Sequence, residues 1–401
     1  MNPSVVAEQA PVQSFPHAGF AKNLWTFAST CADDFLGSSP KRGVPSEHLK
    51  AAVDWLKRAQ DATPDGGVSS RFSLRPGRFG WWSSYRETTG YIVETFYDVA
   101  DYLGDENARD RALAMLEWLL EIQNPDGSIS NPAYGPDGIV FDTGQVLFGL
   151  VRGYQELHEQ RFLDAAHRAA TWLANSLDED GAWRRFSHLG TPHTYNSRVA
   201  WAMLEYSTAA GDSDVEAAAR RNLDWATAQE RDGYFEECAF RPGLAPFTHT
   251  IAYAIRGIFE AGEILGDPHY AAVAERAARA MLTHVREDGF IPGQVDIHGN
   301  PHGSYCCLTG NVQLAVIWFK LYRTTGDPRF LRHAIRATEF VMGTQDIHTS
   351  NLDIRGAIKG STPHWGQLFG APRGGYTPLA YPNWAAKFFV DALLLMRNLD
   401  S

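Results

Sequence analysis

Glu87-Thr-Thr-Gly-Tyr91 opens an apolar run that reads as a helix to about Leu103, and the reading of the chain turns on it. The same device returns at Asp142-Thr-Gly-Gln145, His193-Thr-Tyr-Asn-Ser-Arg198, Thr248-His249, Cys307-Leu-Thr-Gly-Asn311 and Tyr381-Pro-Asn-Trp384. Each cluster is polar or aromatic, and each starts a helix too apolar to face water. The six starts are expected to ring one mouth.

Working outward, each apolar helix is preceded by an amphipathic one, so that from Glu47 a two-helix unit repeats about every 55 residues. The amphipathic helices read as Ala51–Gln60, Ala112–Gln123, Ala165–Leu177, Ala217–Gln229, Ala272–Val285 and Phe330–Gln345. An Asp-Gly turn follows all but the last, which keeps Gln345-Asp346 and loses the glycine. The apolar helices read as Thr88–Leu103, Thr143–His158, Tyr195–Ala210, Thr248–Leu265, Thr309–Thr325 and Trp384–Leu399. Four end in Gly-Asp, at Gly104-Asp105, Gly211-Asp212, Gly266-Asp267 and Gly326-Asp327. The glycine stops one helix and the aspartate can cap the next. An amphipathic ring around an apolar ring satisfies both burial patterns, and closing the ring leaves no apolar end exposed. The expected fold is all-α, an (α/α)6 toroid over residues 45–401, with residues 1–44 as an N-terminal extension holding one helix-like piece at Ala21–Phe35. No sheet is expected, only short hairpins around Ile129, Gly233 and Ile291.

Composition narrows the function. The 401 residues are 44% hydrophobic and carry a net charge of −11. No basic stripe stands out, which argues against nucleic acid and anionic membranes as partners. No apolar stretch approaches the roughly 18 residues of a membrane helix. Met1–Gln9 lacks the charged start and apolar run of a secretory signal, so a cytoplasmic protein is expected. Cys31, Cys238, Cys306 and Cys307 are too few for a disulfide framework and read as reduced thiols. Gly356-Ala-Ile-Lys-Gly-Ser361 lacks the spacing of a phosphate loop, and His302, Cys306 and Cys307 fit no standard zinc spacing. No cofactor or metal is therefore expected, and nothing fixes the oligomeric state.

The helix endings Glu121-Ile-Gln-Asn-Pro-Asp-Gly-Ser128 and Gln229-Glu-Arg-Asp-Gly233 resemble the repeats of the squalene-cyclase and prenyltransferase toroid superfamily, over nearly all of residues 47–401. Tyr85-Arg-Glu-Thr-Thr-Gly-Tyr91, Phe141-Asp-Thr-Gly-Gln145, Cys307-Leu-Thr-Gly-Asn311 and Gly356–Ser361 with Tyr381–Lys387 resemble the VpsJ-like proteins, a bacterial family linked to exopolysaccharide biosynthesis. The toroid is shared with unsaturated glucuronyl hydrolases, uronyl epimerases and several polysaccharide lyases. The resemblance implies a fold more than a reaction. Terpene cyclases of this fold use an Asp-x-Asp-Asp acid, whereas Asp33-Asp34 is preceded by Cys31 in place of the first Asp. Cys306-Cys307 is not followed by the histidine of the lanthionine-cyclase zinc site.

Six helix N-termini at one mouth would gather partial positive charge, suited to anionic groups. Glu87 and Asp142 start neighbouring apolar helices and form the expected acid/base pair, the usual equipment for cleaving a sugar bond. The competing readings are a helix cap for Asp142 and an ion pair with Arg86 or Arg198 for Glu87. His249 and Tyr195 complete the expected catalytic set, His249 as an acid or base near neutral pH. Arg198, Tyr91, Gln145, Tyr253, Asn311, Trp365, Tyr381 and Asn383 are expected to bind substrate, as cation, aromatic walls and neutral hydrogen-bonding groups. The expected activity is cleavage or modification of an oligo- or polysaccharide. Uronyl epimerisation or elimination through Tyr195, Tyr253 or His249 is the first alternative. An isoprenoid cyclase and a non-catalytic glycan-binding scaffold are the others.

Overall fold

The computed structural model describes residues 17–36, 43–367 and 374–397. Met1–Gln9, and with it the reading of a leader, lies outside the described residues, as does part of the expected extension. In chain order the helices are α1 (His17–Leu36), α2 (Pro45–Asp61), α3 (Arg86–Leu103), α4 (Glu106–Ile122), α5 (Val140–Leu157), α6 (Gln160–Asn175), α7 (Ser197–Ala210), α8 (Ser213–Thr227), α9 (Thr248–Leu265), α10 (Pro268–Leu282), α11 (Leu308–Thr325), α12 (Pro328–Met342) and α13 (Asn383–Arg397). The amphipathic helices begin up to five or six residues earlier than apolar periodicity alone suggested, because their caps set the start. Asp105, Asp212, Asp267 and Asp327 each accept a backbone N–H of the following turn. The glycine before each of these aspartates is left-handed, as a helix stop requires. In α5 that position is His158, at φ 56°.

The odd-numbered helices α3, α5, α7, α9, α11 and α13 pack side by side, and α13 returns to α3 to close the ring. Each of α4, α6, α8, α10 and α12 packs outside the inner helix that precedes it, and α2 packs on α13. The tight hairpins in space are thus inner-to-outer, and the first and last toroid helices supply the sixth pair. This is an (α/α)6 toroid. All six inner helices run the same way, so their N-termini and the long connections before them share one end.

Two repeated residues explain the closure. Glycines let neighbouring inner helices touch. A Cβ on Gly90 would lie 2.5 Å from the Gln145 carbonyl oxygen, one on Gly257 2.5 Å from the Arg198 backbone nitrogen, and one on Gly310 2.6 Å from the His249 backbone nitrogen. Glutamines staple the outer ring. Gln60 Nε2 donates to the Gly66 and Arg111 carbonyls, and Gln123 Nε2 to those of Gly127 and Ala165. Gln345 Nε2 donates to Gly356 and His48, which ties the last unit to the first. The neighbouring threonines hold the loops, since Val68 and Ile129 amides donate to Thr89 and Thr143 Oγ1.

The sheet content exceeds the expectation. Arg71–Ser73 pairs antiparallel with Gly80–Trp81 on one edge and Ala380–Pro382 on the other, so the first and last long connections are also stitched together. Short pairs lie at Glu230–Arg231 with Tyr234–Phe235, and at Gln294–Val295 with Pro301–His302. A further unexpected pair joins Cys306–Cys307 to Ser361–Thr362.

Candidate active site

Glu87 lies in the first turn of α3 and Asp142 in the first turn of α5, two helices packed together through Gly90. Asp142 is not a cap, because the cap position of α5 is Ile139. Glu87 makes no ion pair with its neighbour Arg86, whose guanidinium donates instead to the carbonyl and hydroxyl of Ser130. Asp142 is buried, takes a hydrogen bond from Asn131, and leaves Oδ2 without a partner. Glu87 is half-buried and accepts from the Tyr85 hydroxyl.

Burial raises Glu87 from 4.5 to about 7, against the opposing effects of the Tyr85 hydrogen bond and the charge of Arg198. Burial also lifts Asp142 well above the carboxylate range, and the negative charge of Glu87 lifts it further. Above about pH 7 the pair therefore holds one proton, with Asp142 the member that keeps it.

An almost continuous belt of rings surrounds the pair. Phe141 packs on Tyr195 and Tyr253 at 5.4 and 5.2 Å between ring centres. Tyr195 leads to Phe240, Phe247 and Tyr376, and Tyr376 to Trp384, which returns to Tyr85. Tyr376 and Trp384 come from the last long connection and the start of α13.

Below the pair, Arg198 is fully buried. Its Nε donates to Gln145 Oε1 at 2.6 Å, and its two terminal nitrogens have no partner. Rings of Tyr91, Phe148, Trp201, Tyr253 and Phe388 stand 4.9–5.7 Å from its guanidinium carbon. The Tyr91 and Tyr253 hydroxyls approach one another there, short of a well-formed hydrogen bond. This aromatic floor separates the mouth from a second set of charges further along the axis, including Lys387 with Asp391 and Arg256 with Glu260.

The structure thus brings together Glu87, Asp142, Tyr195, His249, Tyr253, Tyr91, Gln145 and Arg198. His249 departs from its expected behaviour. Burial first, and then the charge of Arg198, hold its pKa down at about 3, so it stays neutral near pH 7 rather than titrating there. Its Nδ1–H donates to Gln313 Oε1 at 2.8 Å, and its ring lies 4.3 Å from Tyr253 and 4.8 Å from Tyr376. His193 is also neutral, stacked on Tyr195 at 4.6 Å.

Four expected binding residues are not brought to this hollow. Asn311 donates to the Gly289 and Ala337 carbonyls, taking the stapling role that glutamine has elsewhere. Asn383 donates to the Ser69 carbonyl and Thr88 Oγ1, joining α13 to the first connection. Tyr381 pairs with Phe72 in the sheet and packs on His364 at 4.8 Å, near Thr30 and Asp34 of α1. Trp365 lines a separate shallow groove of about 330 Å³ with Asp34, Phe35, Phe290 and Phe340. In this same region Lys359 pairs with Asp34 at 2.5 Å. Sequence reasoning missed Arg71, Tyr85 and the role of Tyr376. Tyr85 adjoins the opening motif, and its place as the residue before the helix is the signal that could have found it.

A family model of the squalene-hopene cyclase C-terminal domain matches residues 83–261. No curated protein matches the sequence. Among solved structures, an unsaturated glucuronyl hydrolase specific for heparin shares 15% identity over 89% of this chain and 97% of its own, with a TM-score of 0.69. An unsaturated glucuronyl hydrolase from Bacillus sp. GL1, responsible for the degradation of glycosaminoglycan, gives 16%, 88%, 96% and 0.69. Cellobiose 2-epimerase from Bacillus thermoamylovorans gives 14%, 92%, 99% and 0.64. These likenesses show the toroid fold.

Proposed function

We propose that the protein is a carbohydrate-active enzyme that cleaves a glycosidic bond of an oligo- or polysaccharide held in the mouth of the toroid. The observation that carries this reading is the enclosed pair Glu87 and Asp142, electrostatically linked so that one proton is held between them. Asp142 donates that proton to the departing sugar oxygen. Ionised Glu87 attacks the anomeric carbon or activates water, and the anomer first formed, read by proton NMR, separates the two routes. The aromatic belt offers faces on which sugar rings stack, and Arg198 fixes the charge beneath Glu87. The named activities of the structural neighbours, on glycosaminoglycan and on cellobiose, support a sugar substrate. The resemblance to VpsJ-like proteins supports a place in exopolysaccharide biosynthesis.

The test is release of reducing ends from a panel of glycans by the purified protein and by Asp142→Asn. Full turnover by the variant overturns the assignment. A second reading, epimerisation or β-elimination, draws on the contact between neutral His249 and Tyr253. Solvent deuterium entering the sugar, or absorbance from a new double bond, would favour it. The isoprenoid-cyclase reading has the squalene-hopene match behind it, but Asp34 is bound to Lys359 and to the His364 amide. A non-catalytic scaffold would show tight glycan binding with no turnover.

A further inference from the structure

Buried cations normally have an anionic partner, because desolvating an unpaired charge is costly. Three buried cations elsewhere in the toroid follow this, whereas Arg198, sealed among rings, bonds only the neutral Gln145. Arg256 pairs with Glu260, Lys387 with Asp391, and Lys359 with Asp34. Arg71 at the mouth differs. Its guanidinium carbon lies 4.8 Å from the ring of Trp82 and 5.7 Å from that of Trp384, and its Nε has no partner. Among the described residues it forms no ion pair with a carboxylate, and its titratable neighbours include the phenols of Tyr85, Tyr376 and Tyr134 and the cation Arg75. Burial lowers its pKa to about 10, as expected of a cation short of counter-charge.

Its position is set by a rigid element. Arg71 opens the central strand of the small sheet, opposite Pro382, and its carbonyl accepts from the Trp82 amide. It is half-buried and can be reached, whereas Arg198 is sealed. Tyr85 links it to the chemistry, since it lies near Arg71 and its neutral hydroxyl donates to Glu87. The local field has the same sign. The carboxylate pair retains one negative charge, Arg86 lies near Asp142, and the inner-helix N-termini add partial positive charge.

We propose that Arg71, flanked by Trp82 and Trp384, is a specificity subsite for an oxyanion carried by the bound sugar, a carboxylate or a sulfate. This rests on reading the mouth as a saccharide site, and it goes further by committing the substrate to an acidic sugar. The two indoles cover ring faces of the sugar or the guanidinium, and the N–H edge of Arg71 receives two oxygens of the anion.

Isothermal titration with glucuronate, glucuronamide, glucose 6-sulfate and glucose tests this without requiring turnover. The wild type should bind at least one of the two anions about ten- to hundred-fold more tightly than its neutral counterpart, the margin of a charged hydrogen bond. A carboxylate preference and a sulfate preference are told apart by which anion shows the margin. Arg71→Gln should abolish the margin, and Arg75→Gln, on the same loop, should keep it. Circular dichroism and melting temperature check that both variants fold. Equal binding of charged and neutral sugars by the wild type, or a margin that survives in Arg71→Gln, overturns the subsite. Cleavage of a neutral glycan that Asp142→Asn abolishes, with no anion margin, would uphold the hydrolase and reject the subsite. An anion margin without turnover of any glycan would do the reverse.

Discussion

Replacing Glu87 by Gln should abolish activity and yet stabilise the fold at alkaline pH. The carboxyl is displaced from 4.5 to about 7, chiefly by burial. Between those values the unfolded chain has released its proton while the folded chain still holds it, so stability falls as pH rises. At about 1.4 kcal/mol per unit the full displacement is worth about 3 kcal/mol, and solvent reaching Glu87 through the mouth trims this toward 2. The amide has no such loss and can still accept from Tyr85. It also removes the negative charge that raises Asp142, which shifts the balance the same way. Urea unfolding followed by tryptophan fluorescence should therefore give nearly equal stabilities near pH 4. At pH 8 the variant should be more stable by about 2 to 3 kcal/mol. Parallel pH curves for the two proteins, or a variant weaker at pH 8, would refute the claim that the folded mouth holds this carboxyl against ionisation.

Asp142→Asn should cost about 10²- to 10⁴-fold in kcat on natural glycosides but far less on aryl glycosides with acidic leaving groups, which need no proton; equal losses would remove Asp142 as the acid. The wild-type profile of kcat/KM should rise with pH through a midpoint near pH 7, where Glu87 is half ionised, and level off about one unit higher, and a rate already flat from pH 5 would contradict this. His158→Gly should stabilise by about 1 kcal/mol in thermal or urea unfolding, because His158 holds the left-handed stop of α5 that glycine holds in four other inner helices. Gly90→Ala should destabilise by about 1 to 3 kcal/mol, since the new methyl meets the Gln145 carbonyl oxygen at 2.5 Å and neither helix backbone can yield cheaply.

The toroid was legible because its determinants are local and repeat. A Gly-Asp pair stops one helix and caps the next within three residues, and the apolar run after each cluster is long enough to show that the helix is buried on all sides. Repetition then supplies the tertiary inference, since six equal units have few other ways to hide six apolar rods. The same logic placed Glu87 and Asp142 together, because both precede a Thr-Gly step and Thr-Gly is where adjacent inner helices touch. Asn311 misled for a related reason. It occupies a motif position at the mouth, but its amide reaches outward to Gly289 and Ala337, doing for α11 and α12 what glutamine does in three other units. A polar side chain next to a helix start can point inward to a ligand or outward to a carbonyl, and sequence spacing is the same in both cases.

The electrostatics of the mouth could not be read that way. The proton held by Asp142, the neutrality of His249 and the unmet charge of Arg71 each depend on what the other connections bring against them. Arg71 sits alone in an ordinary stretch, Ser69-Ser-Arg-Phe-Ser73, with no neighbour in sequence to mark it. Its surroundings come from Trp82 across one strand pairing, and from Trp384 and Tyr376 more than 300 residues away. Trp365 and Tyr381 carry the same aromatic signal in the same connection, yet the strand Ala380–Pro382 turns Tyr381 toward α1 while Trp384, at the start of α13, faces the belt. Which ring of a long connection reaches the site is decided by the pleat of a three-residue strand. A one-residue slip of that pairing would bring Tyr381 to the mouth and withdraw its neighbours. Deleting one residue between Thr377 and Ala380 should therefore abolish any glycan binding while leaving the helical circular dichroism intact, and retained affinity would show that this register does not shape the site.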